Sequence, residues 1–142
     1  TVQIWDTAGE EKYQAMAPIY SQNAIGALIV FDLTRKETMD HVEKWVGCLQ
    51  LNGDIPIVLA GNKSDLENRQ ISLEDGIMFA TEHNYKFIET SASNGSGVDE
   101  AFTELVNLAY DYLQEKPNHQ AEKDTSVDLQ SQKPSENSSR CC

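Results

Sequence analysis

Two near-continuous apolar runs constrain the fold of this 142-residue chain more than any other feature. Residues 26–33 read GALIVFDL and residues 55–60 read IPIVLA. Runs without a regular polar alternation are typical of parallel strands that are covered on both faces. The two runs therefore predict an α/β fold with a mostly parallel sheet.

The segments between and around these runs show helical spacing or shorter strand patterns. Ser72 followed by Asp75 predicts a capping box at the start of a helix over residues 73–84. Apolar residues also recur every three to four positions in two further segments, Met39–Leu49 and Val98–Tyr112. Shorter strand-like segments are residues 1–6 and residues 86–89.

Composition divides the chain and excludes some functions. Residues 1–113 alternate strands and helices, whereas residues 114–142 are rich in Ser, Gln, Asn, Lys, Glu and Pro, which predicts a disordered tail. The net charge of −12 argues against nucleic acid as a partner, because binding phosphate backbones relies on Lys and Arg. No apolar run approaches the roughly 18 residues that span a bilayer.

Three polar segments stand at the ends of strand-like runs. In an open parallel sheet, ligands bind outside the carboxyl ends of the strands, so we expect these segments to meet at one edge. They are Asp6-Thr7-Ala8-Gly9, Asn62-Lys63-Ser64-Asp65 and Ser91-Ala92-Ser93.

The second polar segment has side chains that suit guanine, although such a tetrapeptide alone is more often an ordinary turn. The carboxylate of Asp65 can accept from the ring N–H and the exocyclic amine, and Asn62 offers an amide to N7 or O6. The stem of Lys63 can lie along the base. Adenine would leave the carboxylate unpaired, at a cost on the order of 2–3 kcal/mol.

The other two segments suit the remaining parts of a nucleotide. An aspartate at a strand end, Asp6, suits Mg²⁺ through water, and Gly9 allows close approach of a backbone N–H to a phosphate. A backbone N–H within residues 91–93 could bond the guanine carbonyl. Each segment is also common as a simple turn or loop.

In this order and spacing, the segments resemble the small GTPases of the Ras superfamily. WDTAGEEKY, GNKSDL and ETSAS match three nucleotide motifs of that family, over residues 1–113. WDTAG, the APIY of residues 17–20 and the terminal Cys141-Cys142 resemble Rab proteins, with the early-endosomal branch nearest. The resemblance implies a P-loop-NTPase-like three-layer sandwich and a GTP-hydrolysing switch of vesicle traffic.

The resemblance also implies roles for individual residues and partners for the protein. It implies that the protein binds GTP or GDP with Mg²⁺. The implied partners are exchange factors, GTPase-activating proteins, effectors and a prenylation escort. The implied location is the cytoplasmic face of endomembranes, including endosomes, with exchange between membrane and cytosol. Two lipids on the terminal cysteines would give firmer membrane attachment than one. The implied roles are Asp6 for Mg²⁺ through water, Gly9 for the γ-phosphate, Asn62, Lys63 and Asp65 for guanine, Ser91, Ala92 and Ser93 for the base carbonyl loop, Trp5 and Tyr20 for effectors, and Cys141 and Cys142 for prenylation.

Two residues depart from the family pattern. Glu10 stands where the family usually has the glutamine that orients the attacking water. A carboxylate accepts hydrogen bonds but does not donate, and it adds negative charge beside the γ-phosphate, so we expect slow hydrolysis. Ser93 replaces a lysine that often packs on the base edge.

The sequence contains no Gly-x-x-x-x-Gly-Lys-Ser/Thr loop. By resemblance, the domain is expected to lack its first two strands and its phosphate loop here. We therefore expect this chain alone to bind nucleotide poorly. We also expect residues 1–6 to lack their neighbouring strand. An alternative interpretation is a lipid-anchored interaction protein without nucleotide chemistry. A flavodoxin-like protein shares the sheet class but leaves residues 62–65 and the terminal cysteines unexplained.

Overall fold

The computed structural model of the protein describes residues 1–7, residue 9 and residues 16–115. In this part of the chain, one parallel sheet is formed by three strands in the order in which they occur. The elements, in chain order, are α1 (Ala17–Tyr20), β1 (Ala27–Asp32), α2 (Lys36–Asp40), α3 (Val42–Leu49), a 3-10 turn (Gln50–Asn52), β2 (Ile57–Asn62), α4 (Leu73–Glu82), β3 (Lys86–Glu89) and α5 (Val98–Glu115).

Helices cover both faces of the sheet, which gives the predicted three layers. Alternate residues of β1 and β2 pack against α3 and α4 on one face, and α5 lies on the other face. Gly26 allows this helix to approach closely, since a Cβ there would lie 2.9 Å from Leu105. The α3–α4 side holds the main core, which consists of Ile29, Phe31, Leu33, Val42, Val46, Ile57, Leu59, Ile71 and Ala80.

The apolar runs and the capping box predicted the central elements correctly. Both runs contain strands, and α4 begins after Ser72 as expected. The Ser72 hydroxyl accepts from the Asp75 N–H at 3.0 Å, and the Ser72 N–H donates to the Asp75 carboxylate at 3.2 Å. The segment predicted as one helix over residues 39–49 is divided at His41 into α2 and α3.

The strand predicted at residues 1–6 is wrong. Residues 1–7 form no strand and are exposed throughout. A strand needs a neighbour to which its backbone can bond, and none of the described strands pairs with this segment. The side chain of Trp5, which the resemblance assigns to effectors, is 67% exposed.

The described helices include none with the length and apolar character needed to cross a membrane. The predicted tail from residue 114 is described only at its first two residues, which belong to α5.

Candidate functional site

Two of the three predicted polar segments meet at the carboxyl ends of β2 and β3. The backbone holds them together: the Ser64 N–H donates to the Thr90 carbonyl at 3.0 Å, and the Thr90 N–H donates to the Gly61 carbonyl at 2.8 Å. The loops at residues 62–65 and 90–97 therefore form one rigid edge of the sheet. This is the edge at which ligands bind in open parallel sheets.

Asn62, the last residue of β2, links the two loops through its side chain. Its Oδ1 accepts from the Ala92 backbone N–H at 3.0 Å and from the Thr90 hydroxyl at 3.5 Å. With its oxygen engaged in this way, the group that Asn62 can offer a ligand is its NH₂, a donor. The Ala92 N–H, expected to bond a base carbonyl, here bonds Asn62.

Asp65 and Ser91 form the second link between the loops. The hydroxyl of Ser91, which is fully buried, donates to Asp65 Oδ1 at 2.6 Å. Ser91 is itself fixed, because its Oγ accepts from the Asn94 N–H at 3.3 Å. Asp65 is exposed overall, so the carboxylate is oriented by the protein while its remaining acceptor capacity faces solvent.

Lys63 is paired with a residue that the sequence interpretation missed. Its Nζ lies 2.6 Å from Asp32 Oδ2, at the carboxyl end of β1. Asp32 also accepts from the backbone N–H and the hydroxyl of Thr34, at 2.9 and 2.6 Å. Burial raises the pKa of Asp32, but the hydrogen bonds from Lys63 and Thr34 outweigh it and hold the pKa below its ordinary value.

A sequence signal for Asp32 did exist. The residue ends a strand-like run at the same sheet edge as the predicted segments, yet it reads as part of the apolar run GALIVFDL. The rule that ligands bind at strand ends would have included it.

The loop after β3 owes its shape to a glycine. The Ser91 N–H donates to the Ser96 carbonyl at 2.9 Å, so the loop folds back on itself. Gly97 has a φ of +69°, and a Cβ there would collide with the Glu89 carbonyl oxygen. The Glu89 carboxylate in turn pairs with the half-buried Arg69, which ties the segment after Asp65 to the end of β3.

The predicted phosphate and magnesium residues are not brought to this edge by any contact among the described residues. Asp6 and Gly9 are exposed, and they make no hydrogen bond to another described residue. The part of the chain that the structure describes has no group of three or more His, Cys, Asp or Glu that could hold a metal ion.

The remaining predicted residues lie on the surface or outside the described ranges. Trp5, Tyr20 and Ser93 are exposed. Glu10, Cys141 and Cys142 fall outside the described residues.

Comparison with known proteins agrees with this geometry. The sequence profile of the Ras family matches residues 1–111. The chain therefore belongs to the Ras family.

Its relatives within that family are Rab proteins. The chain is 40% identical over 129 residues to the Ras-related protein Rab-11A of Dictyostelium discoideum, an alignment of 89% of this chain and 60% of that protein. It is 42% identical over 117 residues to the Ras-related protein RABA4b of Arabidopsis thaliana, covering 80% of this chain and 52% of that protein. The Rab-type resemblance is confirmed, and the early-endosomal branch stays a prediction. The chain spans between half and three-fifths of the length of these relatives.

Proposed function

We propose that the edge formed by residues 62–65 and 90–97 binds the guanine base of GTP and GDP. The observation that supports this most strongly is the pair of side-chain links, Asn62 to Ala92 and Asp65 to Ser91, which orient one donor group and one carboxylate at the same sheet edge. The membership of the chain in the Ras family also supports a guanine nucleotide as the ligand.

Each residue has a definite part in base recognition. Asp65 accepts from the ring N–H and the exocyclic amine of guanine, and the Asn62 NH₂ donates to N7. The stem of Lys63 lies along the base while its charge stays on Asp32. The Ala92 N–H donates to both Asn62 Oδ1 and the base carbonyl, as a shared hydrogen bond. Ser91 and Ser93 lie on either side of Ala92 in that loop.

The phosphate end of the proposal rests on the resemblance alone. Asp6 would hold Mg²⁺ through water, Gly9 would donate to the γ-phosphate, and Glu10 would face the attacking water. A carboxylate in that position orients water less well than an amide, so hydrolysis of GTP is expected to be slow.

The proposal for the whole protein is a GTP-hydrolysing switch of vesicle traffic. Exchange factors, GTPase-activating proteins and effectors would act on it, with Trp5 and Tyr20 in the effector surface, since both side chains are exposed. Prenylation of Cys141 and Cys142 by way of an escort would attach it to the cytoplasmic face of endomembranes, including endosomes, in exchange with the cytosol. The Rab relatives support this assignment.

The decisive experiment replaces Asp65 with asparagine and compares bases. Amide chemical shifts of the ¹⁵N-labelled full chain are followed by NMR during titration with GDP, XDP or ADP. GDP is expected to shift the Ser64 and Ala92 amides, and ADP is not. Because Asp65→Asn replaces an acceptor by a donor, it should weaken GDP about 10–100-fold and favour xanthine, which has a carbonyl in place of the amine.

Asp54→Asn is the matched control, since Asp54 is an exposed aspartate near the amino end of β2, the end opposite the site. It should leave the GDP affinity unchanged. Equal responses to GDP and ADP, or an Asp65→Asn chain that binds GDP like the parent, would exclude guanine recognition and leave the lipid-anchored interaction protein as the better interpretation.

A further inference from the structure

A groove separates helices α2 and α4 on the face of the sheet that carries the main core. Met39 of α2 and Phe79 of α4 both pack on that core, but a volume of about 200 Å³ remains open between the two helices. Ile71, which is buried, and Met78, which is 58% exposed, also line this volume. The groove therefore presents an apolar surface to solvent.

Contacts at both ends hold the walls of the groove in place. At one end, the backbone N–H of Lys36 on α2 donates to Gln70 Oε1, just before α4, at 3.0 Å. At the other end, Nε2 of His83, which follows α4, lies 2.9 Å from the Glu43 carboxylate of α3. A partner that enters the groove would therefore not have to order it first, which removes one of the costs of binding.

The size and shape of the groove favour a helix of another protein over a small molecule. Pockets for drug-sized ligands usually measure about 300–1,000 Å³, and this groove is smaller. An amphipathic helix instead offers apolar side chains one turn apart that enter such a groove from outside. Exposed Met78 suits this use, because its unbranched side chain adapts to the shape of a partner.

The charges around the groove indicate the chemistry of that helix. Asp75 and Glu82 line the groove about 10 Å apart along α4, which contains no basic residue. Lys36 also lines the groove and acts on Asp75, so it offsets the charge at that end. Glu82 and Glu43 both act on His83, and a protonated His83 offsets only one of the two. The Glu82 end of the groove is therefore acidic and favours a cation.

The same charges disfavour other occupants. A second copy of the chain carries a net charge of −12, and its described helices contain only two basic residues, Lys36 and Lys44, on different helices. Anionic lipid and nucleic acid would both bring negative charge to an acidic surface. A basic segment of a different protein remains as the occupant that the charges fit.

We propose that the groove between α2 and α4 binds a basic amphipathic helix of a partner protein. Apolar side chains one turn apart on that helix enter between Met39 and Met78 and cover Phe79. A lysine or arginine on the next turn pairs with Glu82. The surface uses no residue of the candidate base site, so this binding is separate from the proposed nucleotide function.

Fluorescence anisotropy with two labelled helical peptides tests the proposal on the full chain. The first peptide carries leucines at positions i and i+4 with lysines on the flanking turns, and the second differs only in having glutamates in place of those lysines. The lysine peptide is expected to bind about tenfold or more tightly than the glutamate peptide, and added salt should weaken it. Equal binding of the two peptides, or binding of neither, would overturn the proposal.

Two neighbouring residues of α4 provide matched variants. Met78→Lys and Ile77→Lys introduce the same charge at apolar side chains that are 58% and 49% exposed, but only Met78 lines the groove. Met78→Lys should weaken the lysine peptide about tenfold, whereas Ile77→Lys should change its affinity by less than about twofold. Circular dichroism establishes that both variants are folded. Equal losses in the two variants would place the peptide elsewhere and contradict the proposal.

Glu82→Lys is the most informative variant, because it should reverse the preference between the peptides. It should weaken the lysine peptide and strengthen the glutamate peptide, a gain that an unfolded chain would not give. Asp111→Lys is its control: it makes the same change of charge at an exposed position on α5, on the other face of the sheet, and should leave both affinities unchanged. An unaltered preference in Glu82→Lys would overturn the proposal. A dimer in sedimentation velocity that Met78→Lys dissociates would also overturn it and assign the groove to a second copy.

Discussion

Lys63 adopts a backbone conformation that residues other than glycine rarely enter, with a φ of +68°. Such a conformation costs on the order of 1 kcal/mol and persists only where surrounding contacts hold it. Here the side chain is held by Asp32, and the following residue, Ser64, is bonded to Thr90. The contacts that shape the candidate base site therefore also compensate for strain within it.

Acid should release the Lys63–Asp32 link. The pKa of Asp32 is lower in the folded chain than its ordinary value of 3.8, so its stabilising effect is complete above about pH 4 and is lost as the pH falls through the folded value. Asp32→Asn is expected to lower the free energy of unfolding by about 1–2 kcal/mol at neutral pH and to reduce the fall of that free energy below about pH 4. Urea unfolding at several pH values measures both effects. An unchanged pH profile in the variant would contradict the assignment.

His83 should stabilise the fold at low pH rather than at high pH, which is the opposite of the pH dependence expected from Asp32. The Nδ1 of His83 donates to the Phe79 carbonyl at 2.9 Å, and the Nε2 lies 2.9 Å from the Glu43 carboxylate. These two contacts raise the pKa of His83 above 6.5, although burial lowers it. The stabilisation is complete below about pH 6.5 and is lost as the pH rises through the raised value. An NMR titration should give a His83 pKa that falls on Glu43→Gln replacement. A pKa that ignores this change would exclude the ion pair.

At the scale of elements, the capping box is expected to stabilise α4 and the strand that follows it. Ser72→Ala removes the hydroxyl that accepts from the Asp75 N–H and should lower the free energy of unfolding by about 1 kcal/mol. Thr103→Ala is a control, because the exposed Thr103 hydroxyl donates only to the Asp99 carbonyl within α5 and should change stability by less than about 0.5 kcal/mol. Equal effects in urea unfolding would show that the cap contributes nothing specific.

The elements also show how far sequence patterns reach. Apolar runs predicted β1 and β2, and a local box predicted the start of α4, because burial and capping depend on residues close in sequence. The strand expected at residues 1–6 is wrong because pairing depends on a neighbour that no local pattern describes. Asp32 was missed for a different reason: it reads as part of an apolar run, although it ends a strand at the edge where Lys63 lies.

The bonds between the two loops of the candidate site were predicted only in part. The motifs predicted that Asn62, Asp65 and the loop after β3 act together, and the structure brings them into contact. The sequence did not indicate that Ala92 would bond Asn62 directly. Every residue except proline has a backbone N–H, so residue identity does not indicate which N–H will bond Asn62.

For the whole molecule, the net charge of −12 should make salt stabilising. Self-repulsion in the compact state is screened by added ions, whereas the few exposed ion pairs are each worth less than about 1 kcal/mol. The urea midpoint of the chain is expected to rise between 20 mM and 500 mM NaCl. A falling midpoint would mean that local ion pairs outweigh the overall repulsion.

The bonds from Asn62 to Ala92 and from Asp65 to Ser91 join the two loops of the candidate base site through contacts within the chain itself. Ordering of these loops therefore belongs to the free energy of folding, and a guanine base bound as proposed would lose mainly its own freedom of motion. Under the proposed function, recognition of the base would therefore be a property of the folded sheet edge, energetically separable from the binding of the phosphates.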